Sequence, residues 1–153
     1  MDLGGEHRIP ATRAVVWEAL NDPEVLRVCI EGCEAMQRLS PTEFTARVKA
    51  RIGPVQAVFA GAVTLTDVEA PGAYTLVGQG QGGVAGFVRG RARVTLTAEG
   101  DATVLRYEAR ADVGGKLASV GNRLIQGVVA ATAATFFDRL AARLAMNGLG
   151  RME

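Results

Sequence analysis

Hydrophobic positions along the chain follow two periods. Between Glu43 and Val113 they recur at every second residue, and on either side of that block at every third or fourth. In Glu43–Ile52 the even positions, Phe44, Ala46, Val48, Ala50 and Ile52, are apolar, and the odd ones are polar. Gly53-Pro54 interrupts the run, after which Val55, Ala57, Phe59, Gly61, Val63 and Leu65 continue one apolar face. Asp67–Ala73 reads as a turn. Tyr74–Gln81, Phe87–Thr97 and Thr103–Val113 repeat the alternation, with Arg89, Arg91, Arg93, Arg106, Glu108, Arg110 and Asp112 on the polar side. One buried and one solvated face is the pattern of an antiparallel sheet.

The flanks predict one strand and three helices. Leu3–Ile9 is a short strand. Thr12 is placed to cap a helix over Arg13–Leu20, with Val16, Trp17 and Leu20 on one face. Asn21-Asp22-Pro23 stops it and opens a second, Glu24–Val28. After Gly114-Gly115, Lys116–Met146 predicts a single helix about 46 Å long at 1.5 Å per residue, stopped at Asn147-Gly148. Between Arg123 and Asp138 it carries no charge for 14 residues. That is short of the roughly 20 needed to cross a bilayer, so the expectation is a helix buried on the sheet.

One strand, two short helices, about six further strands in meander and a long helix make a single α+β domain over residues 1–153. The sheet must cover its apolar face, and only the long helix can do so. The expected architecture is a helix-grip fold: a curved antiparallel sheet of about seven strands wrapped on the C-terminal helix.

Composition adds a question. The chain is 48% hydrophobic but only 5% aromatic, with 25 alanines and 19 glycines. Apolar residues are numerous and their volume is small, whereas protein interiors are close-packed. Phase assigns the sheet's small residues inward, among them Ala46, Ala50, Gly78, Gly90, Ala92 and Ala109, opposite Gly127, Ala130, Ala131, Ala133 and Ala134 of the helix. Either helix and sheet approach closely, or they enclose a hollow of a few hundred Å³, the size of a small-molecule site. The hollow is the favoured expectation, with Trp17, Phe44, Phe59, Tyr74, Tyr107 and Phe136 at its rims. Trp17, Leu26, Phe44, Phe59, Tyr74, Tyr107, Leu124, Val128 and Phe136 are the candidate ligand-binding residues. Gly53, Pro54 and Val55 form one candidate gate loop, and Gly82, Gly83, Gly86 and Phe87 the other.

Charge and chemistry mostly exclude. A net charge of +1 argues against a histone-like nucleic-acid binder, and no aromatic residues interleave the basic ones as a base-stacking platform. Gly78–Gly83 fits G-x-G-x-x-G, but a strand pattern follows where a dinucleotide site needs a helix. Cys29 and Cys33 lack the further ligands of a zinc site and read as small buried or half-buried thiols. The single histidine, His7, lies between Glu6 and Arg8, which places it near the surface. Glu43, Glu108 and Asp112 fall on the outward phase, so no acid–base or nucleophilic set assembles and the expectation is a non-enzyme without cofactor or metal. Arg47, Lys49, Arg51, Arg89, Arg91, Arg93, Arg106 and Arg110 make the outer face basic. It is either a solvated face paired to Glu108 and Asp112 or a contact for anionic headgroups or an acidic protein.

Val16–Leu26, Cys29-Ile30-Glu31-Gly32-Cys33, Gly53-Pro54-Val55 with Phe59 and Gly61, Gly82–Phe87 with Gly90 and Ala92, and Val113–Ala118 with Gly121, Arg123-Leu124-Ile125 and Phe136-Phe137 form a set of blocks. Together they resemble the carbon monoxide dehydrogenase G-subunit family of the START-like (SRPBCC) superfamily. Glu31 stands where the family usually has proline. The resemblance covers about residues 2–145. It implies a helix-grip fold with an apolar cavity, and an accessory role beside molybdenum-dependent CO dehydrogenase-type enzymes, either binding a quinone- or lipid-like ligand or recruiting the enzyme to the membrane. Many members continue into a membrane-associating C-terminal segment. With this sequence ending at Glu153, tethering by that route is not expected, and the expected setting is cytoplasmic, with peripheral contact at the inner membrane face.

Overall fold

The computed structural model describes the backbone of residues 1–152 and the side chains through Met146. Its elements are β1 (Asp2–Ile9), α1 (Arg13–Leu20), α2 (Pro23–Cys29), β2 (Cys33–Ser40), β3 (Glu43–Ile52), β4 (Val55–Glu69), β5 (Ala73–Gln81), β6 (Phe87–Glu99), β7 (Ala102–Gly114) and α3 (Asn122–Met152). The strands form one antiparallel sheet in the order β1-β7-β6-β5-β4-β3-β2, so only β1 and β2 are edges. This is the α+β helix-grip architecture that the alternating block and the long helix predict.

Local chemistry accounts for most boundaries. Pro23 sits in the first turn of α2, and Asp22 caps it by accepting a hydrogen bond from the Glu24 amide at 2.9 Å. Thr12 has the extended backbone of an N-cap but makes no side-chain capping bond. The turn expected over Asp67–Ala73 is shorter: β4 continues to Glu69 through an irregularity between Thr66 and Glu69, where Asp67 takes φ +48°. The long helix also starts later than expected. Gly115–Val120 is a 3-10 turn, and Gly121, at φ +97°, holds a conformation that breaks the helix before Asn122. At its other end α3 runs through Asn147-Gly148 to Met152 rather than stopping there.

Packing divides the molecule in two. The β4–β5 and β6–β7 turns, α1 and the Phe44 end of β3 lie at one end of the sheet. There Ile9, Val16, Cys29, Phe44, Tyr74, Leu105, Leu140 and others form a single buried core between the sheet, α1, α2 and the C-terminal part of α3. At the opposite end lie the Gly53-Pro54 turn, the β5–β6 loop and the start of α3. There α3 touches only the margins of the sheet, where Gln126 Nε2 donates to the Asp2 carbonyl of β1 at 3.4 Å and Leu124 lies against the Gly53 turn. Between Arg123 and Asp138 only Ile125 is buried, and over the whole of Asn122–Met146, a segment long and apolar enough by length and composition to span a membrane, only Leu140 and Leu144 join it. The expectation of a buried helix is therefore corrected: its uncharged stretch faces an open space.

His7 is corrected too. It shares the inward phase of Leu3, Gly5 and Ile9 and lies under α3, its ring stacked at 4.2 Å on Phe137 and 6.2 Å from Tyr107. Burial lowers its pKa, partly opposed by the Asp138 carboxylate. With the folded value below the unfolded 6.5, the unfolded chain takes up the proton more readily, and stability is lost as pH falls below that value. Between about pH 7.5 and pH 5, wild type is expected to lose more melting temperature than His7→Phe, which keeps the stack and cannot be charged. Equal losses in the two proteins would remove His7 from the linkage.

Candidate functional site

The space under α3 is a cavity of about 1000 Å³, larger than the few hundred Å³ expected. Its walls are the inward positions of β3 to β7, the Ile30–Gly32 loop, and Val128 to Phe137 of α3. Gln56 and Leu65 both line it from β4, and nine residues of strand span about 30 Å, so the cavity is elongated along the strands. Its mouth follows from strand pairing. β2 pairs with β3 only as far as Val48, and beyond that Lys49 donates its amide to the Gly32 carbonyl at 2.8 Å. The free edge of β3 at Lys49–Ile52, the Ile30–Gly32 loop and the middle of α3 surround the opening. Charged lining residues, Glu31, Lys49 and Arg51, are all exposed and belong to this mouth. The far end is closed by Phe44, Leu65, Tyr74, Val94 and Leu105, all buried.

Of the nine candidate ligand-binding residues, Leu26, Phe44, Tyr74, Tyr107, Val128 and Phe136 line the cavity. Phe44 and Tyr74 sit at its closed end rather than its rim. Trp17 stands one layer behind, edge-on to the Tyr74 ring with centroids 5.3 Å apart. Phe59 lies over Gly82, and Leu124 is 46% exposed and rests on the Gly53 turn, so neither forms wall. On the helix, Ala131 and Ala133 line the space, whereas Gly127, Ala130 and Ala134 do not. The Gly53-Pro54-Val55 turn adjoins the mouth, between lining residues Ile52 and Gln56. The Gly82–Phe87 loop does not: Gly86 packs on the Gly114-Gly115 backbone and Val84 points into solvent.

Several lining residues are not among the sequence-based candidates, including Met36, Leu76, Ala92, Leu105 and Phe137. All but Met36 belong to inward phases or to the helix face, so alternation carries the signal; choosing the aromatic positions first passes over it.

Polar chemistry inside is sparse. Among the lining residues the only carboxylate is Glu31, in the mouth. Cys29 is buried and Cys33 half-buried; both thiols are pushed up in pKa, chiefly by burial, and Cys33 Sγ donates to the Ala35 carbonyl at 3.3 Å. No three potential metal ligands converge among the described residues.

The outer face is paired differently from expectation. Arg106 and Arg110 reach Glu6 and Asp2, which stand directly opposite them on β1, and Arg93 reaches Glu69 at 2.7 Å. Arg89, opposite Asp112, instead lies over the Phe87 ring at 5.7 Å. Such exposed pairs contribute about 0–1 kcal/mol each.

Comparison with known proteins fits this geometry. A search of curated proteins found no match by sequence. Among solved structures, a conserved protein from Geobacillus kaustophilus is 30% identical, with a TM-score of 0.88 over 95% of this chain and 96% of that one. A START superfamily protein from Mycobacterium smegmatis is 14% identical, with a TM-score of 0.72 over 95% and 97%. Zhui aromatase/cyclase from a Streptomyces species is 11% identical, with a TM-score of 0.65 over 94% and 92%. The last two share the fold alone. The family of the carbon monoxide dehydrogenase G-subunit (CoxG) matches residues 5–145, a span that takes in nearly all of the sheet, the cavity and the long helix as far as Ala145. The chain belongs to this carbon monoxide dehydrogenase CoxG family.

Proposed function

We propose that this protein is a non-catalytic accessory protein that holds one small hydrophobic ligand, quinone- or lipid-like, between sheet and helix. The observation that carries this is the cavity of about 1000 Å³ with apolar walls and charge confined to its mouth. An empty apolar space of that size forfeits contacts on every wall, so a ligand that fills it gains dispersion and buries surface at about 25 cal/mol per Å². The one carboxylate of the lining, Glu31, stands in the exposed mouth and not inside, which favours binding over the cyclisation chemistry named for the Streptomyces neighbour. Native mass spectrometry of the protein purified without detergent tests the reading. One apolar adduct per chain, released by organic solvent, is expected. A bare chain that also takes up no added quinone or lipid contradicts it.

A second reading, recruitment or assembly of a molybdenum hydroxylase through the surface, draws on the outer face. Arg47, Lys49, Arg51, Arg89 and Arg91 have no ion-pair partner among the described residues and flank exposed Val58 and Val77. Co-purification of the enzyme that is lost when these cations are reversed would favour it.

A further inference from the structure

We propose that the Tyr74 hydroxyl is a hydrogen-bond donor at the closed end of the cavity, placed to receive a neutral oxygen, such as a carbonyl, at the leading end of an otherwise apolar ligand. This rests on the ligand-binding reading above and specifies the chemistry of the end that enters first.

Tyr74 is 5% exposed and lines the cavity. Its hydroxyl is not among the hydrogen bonds of the described residues, and burial alone accounts for its raised pKa, with no bonded neighbour contributing. Yet no buried side-chain oxygen or nitrogen in the described structure is both sealed and unpartnered. The phenolic oxygen is therefore not sealed off, and the cavity is the space that Tyr74 lines. The ring is held in place: Trp17 meets it edge-on at 80°, and the Trp17 carbonyl is itself tied to Asn21 Nδ2 at 2.9 Å.

The surroundings select what the hydroxyl can hold. Phe44, Leu65, Leu76, Val94 and Leu105 line the same end and offer neither a charge nor a hydrogen bond, and the other phenol of the lining, Tyr107, stands opposite Val94 on β7. Burial keeps the phenol protonated, so it presents a donor. A carboxylate brought here would be a desolvated anion with no cation beside it, a costly arrangement; its natural place is the mouth, near Lys49 and Arg51. A pure hydrocarbon would strand the hydroxyl without a partner, also at a cost. A neutral acceptor oxygen on an apolar body satisfies both constraints.

The test uses the full chain, with 2-tridecanone and tridecane each competing against the dye Nile red, in wild type and Tyr74→Phe. The ketone is expected to bind Tyr74→Phe roughly fivefold more weakly than wild type, the size of one neutral hydrogen bond, while the alkane is unchanged or slightly improved. The carbonyl stretch of the bound ketone should lie at lower wavenumber in wild type than in the variant, a change that a purely packing role does not produce. Equal ketone affinity and an equal stretch in the two proteins would overturn the inference while leaving apolar binding intact. Failure of ketone, alkane and dye alike to bind wild type would overturn the ligand-binding reading and this inference with it.

Discussion

Ala92→Phe is expected to weaken binding of a hydrophobic ligand at least tenfold while leaving the protein folded. Ala92 is an inward residue of β6, flanked in register by Leu76 and Ala109, and it forms part of the cavity wall. In a close-packed core such an enlargement costs about 1–3 kcal/mol, because neighbours must move. Here the added ring enters empty space and buries its own apolar surface against existing walls, which returns a comparable amount. The melting temperature should therefore stay within about 4 °C of wild type. Nile red titration and thermal melting check the two halves. Retained binding would show that the ligand lies elsewhere. A collapse in stability would show that the space closes in solution.

The largest stability loss is expected at Gly86. Its φ of +112° and ψ of −154° lie in a region essentially confined to glycine. A Cβ there would also overlap the Gly114 carbonyl. That contact pins the β5–β6 loop to the end of β7, directly before the turn that launches α3. Gly86→Ala combines backbone strain of about 1–3 kcal/mol with forced separation of two chain segments, so a loss of about 3 kcal/mol or more is expected. For a chain of this length that lowers the melting temperature by about 6–12 °C. Gly83 in the same loop is the control. It also has positive φ, +61°, but a Cβ there meets nothing within 4 Å, so Gly83→Ala should cost only about 1–2 kcal/mol. Equal losses at the two sites would mean that the Gly86–Gly114 approach does not hold the loop.

How far this is legible in the sequence depends on what each signal reports. The alternation in β3 to β7 is clear because those strands have partners on both sides and one solvated face. β2 is counted by the pattern but not located. It is an edge strand with irregular pairing at Cys33/Ala35 and Arg38/Ser40, and Leu39 is 61% exposed, so its period is broken. His7 is misplaced by its charged neighbours, although the phase Leu3, Gly5, His7, Ile9 points inward. The uncharged stretch of α3 reads as packed. Lack of charge records contact with something apolar and does not distinguish side chains from a hollow. Small residues announce the hollow, but its closed end is built from Phe44, Tyr74 and Leu105, whose depth comes from α1 folding over that end of the sheet, a tertiary event without local sequence signal.

Trp17 offers the most direct test of the cavity as a ligand site. It is the only tryptophan in the chain, and it stands behind Tyr74 at the closed end. Titration with decylubiquinone, followed by Trp17 emission, should give saturable quenching with one quinone per chain, and Ala92→Phe should abolish the saturation. Quenching that rises linearly without saturating, the same in both proteins, would mean collision from solvent and an unoccupied cavity, contradicting ligand binding between sheet and helix.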